Sequence, residues 1–418
     1  MIMPVLIVNT YENKGGAAKA TLRLFHGLGE NKVDALMLVQ NRSTNDPFVI
    51  IPGRKWQTFC YNLRPYVDFL IPLLLTRKRI LFSTSLLPDT VYMTIHSLNP
   101  EVVHLNWIAG GMIKIESLSR ISSPIVWTFH DLWAFTGGCH YPAMGCERFT
   151  EGCGYCPILH SQKKKDLSYR VFLRKQRVYE KIKELYIITP SNWLAGLVRK
   201  SPLTSGRSVN VIPNGLDIEV FKPSDRIEAR KQFHLPGNKK ILLFGAVRSI
   251  NNELKGFHHL INALSFLKGQ AYELVVFGAS DSGVSKKMPV PTRFMGFISD
   301  ESRLASLYAA ADVVVVPSVQ EVFGQTATEA LACGIPVVAF ANGGLTDIVQ
   351  HMHNGYLARK FEPEDLASGI EWVLEDNSRY HLLSLNARET AVKHFDIRVT
   401  VRQTIALYSE ITGSVIQT

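Results

Sequence analysis

Short runs of apolar residues alternate with amphipathic stretches along the chain. In the first half the apolar runs are brief and rich in Val, Ile and Leu, as expected of strands buried on both faces of a parallel sheet. Most of the stretches between them have a helical spacing of apolar positions. The predicted strands of this half are Val5–Val8, Ala35–Val39, Val102–Leu105, Ile125–Phe129, Tyr186–Ile188 and Val209–Ile212.

The second half repeats this alternation. Its predicted strands are Ile241–Phe244, Glu273–Phe277, Arg293–Met295, Asp312–Val316 and Val337–Phe340. Helices are predicted between them at Gly256–Leu267 and Glu301–Ala310, and helical patterns alone continue from Glu364 to Ile411. Strands that alternate with helices indicate a doubly wound parallel sheet, so we predict two α/β domains of the same class in tandem.

Turn-forming residues between the two halves mark a domain boundary. Pro, Asn, Gly and Asp occur together in Pro213–Asp217, and a further proline follows in Phe221–Pro223. At 418 residues the chain is also longer than one hydrophobic core usually supports. We therefore predict a first domain over 1–212, a second over 213–395, and a last helix within 396–418 that packs back on the first domain.

Two glutamates eight positions apart stand at a predicted strand-to-helix junction. Glu321 follows the strand that ends at Val316, and Glu329 falls about one turn into a helix predicted over Thr326–Cys333. Between them, Val322–Gln325 would present backbone N–H groups at a helix N-terminus, which favours phosphate. Carboxylates beside such donors suit a sugar nucleotide, which has hydroxyl-rich rings at both ends of a pyrophosphate. The alternative is that both glutamates are solvated, as most are.

Two loops of the first half carry further candidates. Gly15 and Gly16 join the first strand to the first helix and would let the backbone approach a phosphate, although any tight turn can use adjacent glycines. His130 follows the strand that ends at Phe129. It could hydrogen-bond a sugar hydroxyl or stabilise developing charge, with Asp131 fixing its tautomer. A structural role is the commoner one for any single His.

Two cations lie in the loop after the first strand of the second half. Lys255 opens the helix predicted from Gly256, and Arg248 precedes Lys255 by seven residues. Together they could clamp a pyrophosphate and offset its charge as a sugar departs. An exposed basic loop is the simpler alternative for these residues taken alone.

Four of the six cysteines lie in one short segment, at Cys139, Cys146, Cys153 and Cys156. In a cytosolic chain, thiols this close are more often metal ligands than disulfides, and the final Cys-x-x-Cys suits tetrahedral zinc. The two wider gaps are unusual for the common zinc modules. We predict a structural zinc knuckle, with free thiols as the alternative.

The net charge of +10 at pH 7 implies attraction to something anionic, such as nucleic acid, acidic lipid or a phosphorylated substrate. Part of the excess is local, because Arg77-Lys78-Arg79 follows the apolar segment Phe69–Leu75. This arrangement is typical of a peripheral membrane enzyme, although a solvated helix face also explains such runs. The sequence has no apolar run of membrane-spanning length and no basic leader, so we expect a cytosolic protein. Of the two interpretations of the basic segment, the membrane one implies the inner membrane surface as a partner.

Five motifs occur in the order seen in family-four glycosyltransferases. They are Gly15-Gly16-Ala17-Ala18, His130-Asp131-Leu132-Trp133, Ile212-Pro213-Asn214-Gly215-Leu216-Asp217, Lys255-Gly256, and Glu321-Val322-Phe323-Gly324 followed by Glu329-Ala330. The chain thus resembles, over nearly its whole length, retaining enzymes of GT-B type, in which two Rossmann-like domains face each other. Its cysteine-rich insert is similar to that of a bacterial subset associated with exopolysaccharide or lipopolysaccharide assembly.

The resemblance implies a role for each candidate residue. Catalysis would involve His130 beside the transferred sugar, Glu321 on the hydroxyls of that sugar, and Lys255 on the diphosphate. The family commonly has Gly and Arg together at the strand end, whereas here two residues separate Gly245 from Arg248. The remaining donor contacts would come from Gly15, Gly16, Arg248, Phe323 and Gly324 at the phosphates, and from Glu329 at the ribose.

The resemblance also implies same-face substitution, in which the departing diphosphate helps to deprotonate the acceptor hydroxyl and no metal or other cofactor takes part. The second domain would bind a nucleotide-sugar donor and the first a glycan or lipid-linked acceptor, with no nucleic acid as partner. The alternatives are a sugar-nucleotide epimerase or a phosphorylase on the same scaffold. A zinc-containing nucleic-acid-binding protein would explain the cysteines and the charge, but not the two doubly wound halves or the paired glutamates.

Overall fold

Two wholly parallel β-sheets with their connecting helices make up the computed structural model, which describes residues 5–53, 58–76, 80–246, 253–268, 271–281 and 283–413. The chain divides into two compact units, Met1–Ile212 with Thr400–Thr418, and Pro213–Val399. The division falls at the turn-rich segment that follows Ile212.

The first unit is built on a sheet of seven parallel strands. They are β1 Val5–Tyr11, β2 Ala35–Asn41, β3 Val49–Ile50, β4 Val102–Leu105, β5 Ile125–Thr128, β6 Leu185–Thr189 and β7 Ser208–Val211. The strands pair in the order β3-β2-β1-β4-β5-β6-β7. The order reverses between β1 and β4, and doubly wound sheets bind ligands outside the carboxyl ends of the strands at such a point.

The helices of the first unit begin at residues that suit helix starts. Gly15 precedes the first helix with φ +98°, a conformation that glycine adopts without strain. Asp166 and Ser191 cap two others, since their side chains accept hydrogen bonds from the N–H groups of Tyr169 and Leu194. The helices are α1 Gly16–Glu30, α2 Thr58–Thr76, α3 Val91–Leu98, α4 Leu167–Tyr179 and α5 Asn192–Lys200.

The second unit repeats the topology with six parallel strands. They are β8 Lys240–Gly245, β9 Tyr272–Phe277, β10 Thr292–Phe294, β11 Val313–Val316, β12 Val337–Phe340 and β13 Gly355–Ala358. Their order is β10-β9-β8-β11-β12-β13, so the reversal lies between β8 and β11. Val313 to Val315, in the middle of the sheet, are fully buried, which explains the unbroken apolar run in the sequence.

The remaining helices belong to the second unit except for most of the last one. They are α6 Arg226–Gln232, α7 Phe257–Leu264, α8 Glu301–Ala310, α9 Gln325–Ala332, α10 Leu345–Ile348, α11 Pro363–Glu375, α12 Asn377–His394 and α13 Ile397–Thr412. From Thr400 onward α13 belongs to the first unit. There Tyr408 is fully buried and its hydroxyl hydrogen-bonds the ring of His104 on β4.

The predicted strands are confirmed, with ends that differ by a few residues. Two strands were not predicted: β3, which is two residues long, and β13, whose glycine and half-exposed Tyr356 interrupt the apolar pattern. Both lie at sheet edges, where burial is less complete and the pattern weaker. Within the described ranges, no helix is long and apolar enough to cross a membrane.

Candidate active site

The loops at the carboxyl ends of β8 and β11 bring together two of the predicted residues. Glu321 lies between β11 and α9, and Lys255 ends a 3-10 turn, Glu253–Lys255, just before α7. The Lys255 Nζ is 2.6 Å from the Glu321 Oε2, with both side chains partly exposed. A carboxylate that can accept from sugar hydroxyls therefore stands beside a cation that can pair with phosphate.

Several hydrogen bonds fix the loop that carries Glu321. The Ser318 hydroxyl donates to the Glu321 carboxylate at 3.3 Å, and the N–H of Gly344 donates to the Glu321 carbonyl at 2.8 Å. The side-chain amide of Asn342, which follows β12, donates to the carbonyls of Ser318 and Val319. Residues from two neighbouring strand ends thus hold Glu321 in place, as a preorganised site requires.

Glycines allow close backbone approaches around this loop. Gly256 has φ +69°, and a Cβ on it would lie 1.8 Å from the carbonyl oxygen of Pro317. A Cβ on Gly343 would lie 2.1 Å from the carbonyl oxygen of Glu321. Both distances are far below van der Waals contact, so each position requires glycine. The Lys255-Gly256 motif therefore combines a cation with the glycine that seats its loop against the Glu321 loop.

We expect Gly256→Ala to destabilise the protein by about 2–4 kcal/mol, because the new Cβ adds a backbone clash to the strain of a left-handed conformation. Gly237→Ala is the matched control, since a Cβ there meets nothing within 4 Å. Denaturation by urea, followed by circular dichroism, measures both changes. Equal midpoints for the two variants would contradict the close approach at Pro317.

Glu329 occupies the second turn of α9, as predicted, and is buried. The hydroxyl of the fully buried Tyr308 donates to the Glu329 Oε2 at 3.0 Å. Burial, followed by the neighbouring Glu329 carboxylate, raises the pKa of Tyr308 well above its usual value, so this donor keeps its proton. Gly324 precedes α9 with φ +108°, and Phe323 beside it is buried. The two glutamates therefore differ: the side chain of Glu321 is partly exposed, whereas Glu329 is 6% exposed and its Oε2 accepts from Tyr308.

In the first unit, His130 follows β5 and its Nε2 lies 2.9 Å from the Asn106 Oδ1. With the Asn106 oxygen accepting, the His130 proton is on Nε2 and Nδ1 is a hydrogen-bond acceptor. Burial lowers the pKa of His130 to about 4, although the nearby Asp131 opposes the shift. His130 is therefore neutral at pH 7, which suits it to accept a hydrogen bond from a hydroxyl rather than to stabilise negative charge as a cation.

The expectation that Asp131 fixes the tautomer of His130 is wrong. The Asp131 Oδ2 accepts from the indole of Trp107 and pairs with Nδ1 of His140, each at 2.6 Å, and Oδ1 accepts from the N–H of Trp133 at 2.8 Å. Burial opposes ionisation here, but His140 and these hydrogen bonds lower the pKa of Asp131 overall. Asp131 instead joins the loop after β4, the loop after β5 and the cysteine-rich segment.

Asp131→Asn should lower the stability of the first unit by about 2–4 kcal/mol, because the new amide places N–H groups against donors at a buried position. Tryptophan fluorescence during urea denaturation reports chiefly on this unit, since Trp372 alone of the six tryptophans lies outside it. The control is the exposed Asp34→Asn, for which we expect a change within about 0.5 kcal/mol. A stability like that of the control would show that the Asp131 contacts contribute little.

The four clustered cysteines lie in the segment between β5 and α4, and all are free thiols. Burial raises the pKa of Cys153 to about 12, and the N–H of Gly137 donates to its sulfur at 3.2 Å. Among the residues that the structure describes, no group of three or more His, Cys, Asp or Glu side chains is placed to hold a metal ion. The side chains as placed do not form a zinc site, and the zinc knuckle stays a prediction.

The structure describes the predicted phosphate-contacting residues Gly15 and Gly16, but not Arg248. Gly15 lies in the turn between β1 and α1 and Gly16 is the first residue of α1, and a Cβ on Gly15 would meet no atom within 4 Å. Arg248 lies outside the described residues. Sequence reasoning missed Asn106, Ser318 and Asn342, and it also missed Gly343-Gly344 after β12. That pair repeats the signal of Gly15-Gly16, adjacent glycines after a buried strand, and could have been found.

Solved structures of similar shape define the class of the fold. HepE from Anabaena, in complex with UDP, matches with a TM-score of 0.65 at 21% identity, over 98% of this chain and 100% of HepE. A glycosyltransferase from Rickettsia africae matches with a TM-score of 0.68 at 17% identity, over 99% of this chain and 100% of that one. The two doubly wound units are thus the GT-B fold of glycosyltransferases.

Sequence comparisons place the chain within that class. The model for Glycosyltransferase Family 4 matches residues 14–220, and the model for Glycosyl transferases group 1 matches 225–390. An uncharacterized glycosyltransferase of Methanocaldococcus jannaschii, MJ1607, is 30% identical over 65% of this chain and 70% of its own. The chain therefore belongs to the glycosyltransferases that these two family models describe.

A D-inositol 3-phosphate glycosyltransferase of Nocardioides is 35% identical over 225 residues, which are 48% of this chain and 48% of that relative. The match therefore spans about half the length of that protein. This partial match supports membership of the family but does not identify the acceptor.

Proposed function

We propose that the protein is a retaining glycosyltransferase that moves a sugar from a nucleotide-diphosphate sugar to a hydroxyl of a glycan or lipid-linked acceptor. The observation that carries this proposal is the Lys255–Glu321 pair at the carboxyl ends of β8 and β11, beside the N-terminus of α9. The complexes of HepE with UDP and with UDP-glucose support a donor of this kind.

The proposed reaction assigns a task to each side chain. Glu321 accepts hydrogen bonds from the hydroxyls of the transferred sugar, and Lys255 pairs with the diphosphate and offsets its charge as it leaves. Neutral His130 accepts from a hydroxyl of the same sugar, and Glu329 contacts the ribose. The bond from the anomeric carbon to the diphosphate breaks, the acceptor oxygen bonds to that carbon on the same face, and its proton passes to the leaving oxygen. The proposal assigns no catalytic metal or other cofactor.

We further propose that the second unit binds the donor and the first the acceptor, in the cytoplasm at the inner face of the membrane, during synthesis of a bacterial surface polysaccharide. An inositol phosphate is a second candidate acceptor, because relatives carrying that name are about one-third identical over the matched region.

A panel of uridine, guanosine and adenosine sugar diphosphates identifies the donor by thermal shift. A donor at a hundredfold its dissociation constant adds about 2.7 kcal/mol of stability. With that donor, NMR of the product gives the anomeric configuration of the new bond. The proposal expects the configuration of the donor, and an inverted product would contradict the retaining mechanism.

A further inference from the structure

In helix α2, charged and apolar side chains are distributed in the opposite way to those of an ordinary surface helix. Its charged residues are Arg64 and Asp68, one turn apart. A helix on the surface of a globular protein usually turns its apolar stripe to the core and its charges to water. In α2 the charged side chains are held by the protein and apolar side chains are exposed.

Both charges of α2 are bound within the first unit. The Arg64 guanidinium donates to the carbonyls of Gly111 at 2.6 Å and Pro88 at 2.7 Å. Asp68 is 1% exposed and accepts from the N–H of Ser85 at 3.0 Å and from the hydroxyl of Thr84 at 3.2 Å. These bonds fix which face of α2 is turned inward.

The opposite face is an apolar stripe. Its side chains are exposed by 74% at Tyr66 and 71% at Leu74, and by 45–46% at Leu63, Val67 and Leu70. The positions follow one another at three, one, three and four residues, so they lie along a single face of the helix. Water alone is an unfavourable neighbour for such a continuous surface, and exposed patches of this kind mark sites of interaction.

We propose that the α2 stripe, defined as Leu63, Tyr66, Val67, Leu70 and Leu74, docks the protein on a bilayer surface that contains anionic lipid. The helix, about 28 Å long, would lie in the plane of the interface with the stripe among the upper acyl chains. This inference rests on the proposed function for its setting at the membrane, and it does not involve the donor site.

The charge of the chain favours an anionic bilayer, and not a protein, as the partner of the α2 stripe. The stripe contains no acidic residue, because the single acidic residue of α2 is the buried Asp68. In the sequence, Arg77-Lys78-Arg79 follows α2 directly, and the whole chain carries +10. Basic residues next to an apolar interfacial helix add attraction to acidic headgroups, whereas two copies of this cationic chain would repel each other.

Co-sedimentation with vesicles tests the proposal on the full chain. The lipids are phosphatidylcholine alone, and phosphatidylcholine with about one-third phosphatidylglycerol. The test variant is Tyr66→Ser, Leu70→Ser and Leu74→Ser together. The control variant replaces three exposed apolar side chains elsewhere, Ile227→Ser, Phe297→Ser and Leu382→Ser. All six side chains are exposed, so both variants should fold, and melting temperatures within ~2 °C of the wild type would verify this.

We expect the wild type and the control variant to bind the anionic vesicles, and the test variant to bind about tenfold or more weakly. Equal binding by the test and control variants would overturn the proposal. The proposal would also be overturned if the wild type did not bind vesicles but formed a dimer that the test variant did not form. The stripe would then be a surface for self-association. Thermal shift by sugar nucleotides is measured in parallel. It tests donor binding independently of vesicle binding, so the proposed function and the docking proposal can fail separately.

Discussion

We expect Glu321→Gln to lower the rate of sugar transfer by about 10²–10³-fold with little change in stability. The substitution keeps the size of the side chain but removes the charge that faces Lys255, and it replaces one acceptor oxygen by a donor. Preorganised polar groups at a reacting centre typically contribute this much. Initial rates of nucleoside diphosphate release, with donor and acceptor in excess, give the comparison.

Glu389→Gln is the matched control for this experiment, because Glu389 is an exposed glutamate of α12 in the same unit. Its rate should equal that of the wild type. If the Glu321→Gln variant also had the wild-type rate, Glu321 would have no role in the reaction. The Lys255–Glu321 contact would then be an ordinary ion pair.

Lys255→Met should lower transfer by a similar factor, about 10²–10³-fold, because the variant lacks the cation that, in the proposed mechanism, offsets the charge of the leaving diphosphate. Part of the loss should appear as a higher KM for the donor, since in the proposed mechanism Lys255 also pairs with the diphosphate before it leaves. The measurement is kcat and KM for the donor at saturating acceptor. Double replacement of Lys255 and Glu321 should cost less than the sum of the two single losses, because the partners act together.

The control for Lys255 is another ion pair of the same unit. The Lys231 Nζ lies 2.7 Å from the Glu228 Oε1, but both side chains are largely exposed and far from any strand end in the sequence. Lys231→Met should leave both kcat and KM unchanged, as expected of a surface pair. If the two lysine variants had the same kinetics, Lys255 would have no part in the reaction.

The sequence was sufficient for the features that depend on local pattern. Buried strands such as β11 appear as unbroken valine runs, and strand-to-helix loops follow them at short distance, so the topology and the positions of Glu321, Glu329 and Lys255 followed from spacing. The contact between Lys255 and Glu321 is less local. It could be expected because the carboxyl ends of β8 and β11, paired strands of one sheet, meet at the same edge.

Features that depend on long-range packing could not be predicted in this way. Asp131 is adjacent to His130 in the sequence, yet consecutive side chains after a strand point in different directions, and Asp131 reaches His140 and Trp107 instead. The partner of His130 is Asn106, from the end of a neighbouring strand. Likewise, the turning of Arg64 and Asp68 inward on α2 depends on carbonyl and hydroxyl groups from distant loops.

We propose that the loops after β8, β11 and β12 bind a nucleotide-sugar donor. Hydrogen–deuterium exchange tests it directly, with UDP-glucose, GDP-mannose and ADP-glucose added in turn at saturating concentration. We expect one of them to slow exchange chiefly in peptides covering 253–256, 317–325 and 342–346, with little change in α11 and α12. Protection confined to other segments, or none with any of the three donors, would show that these loops do not bind the donor.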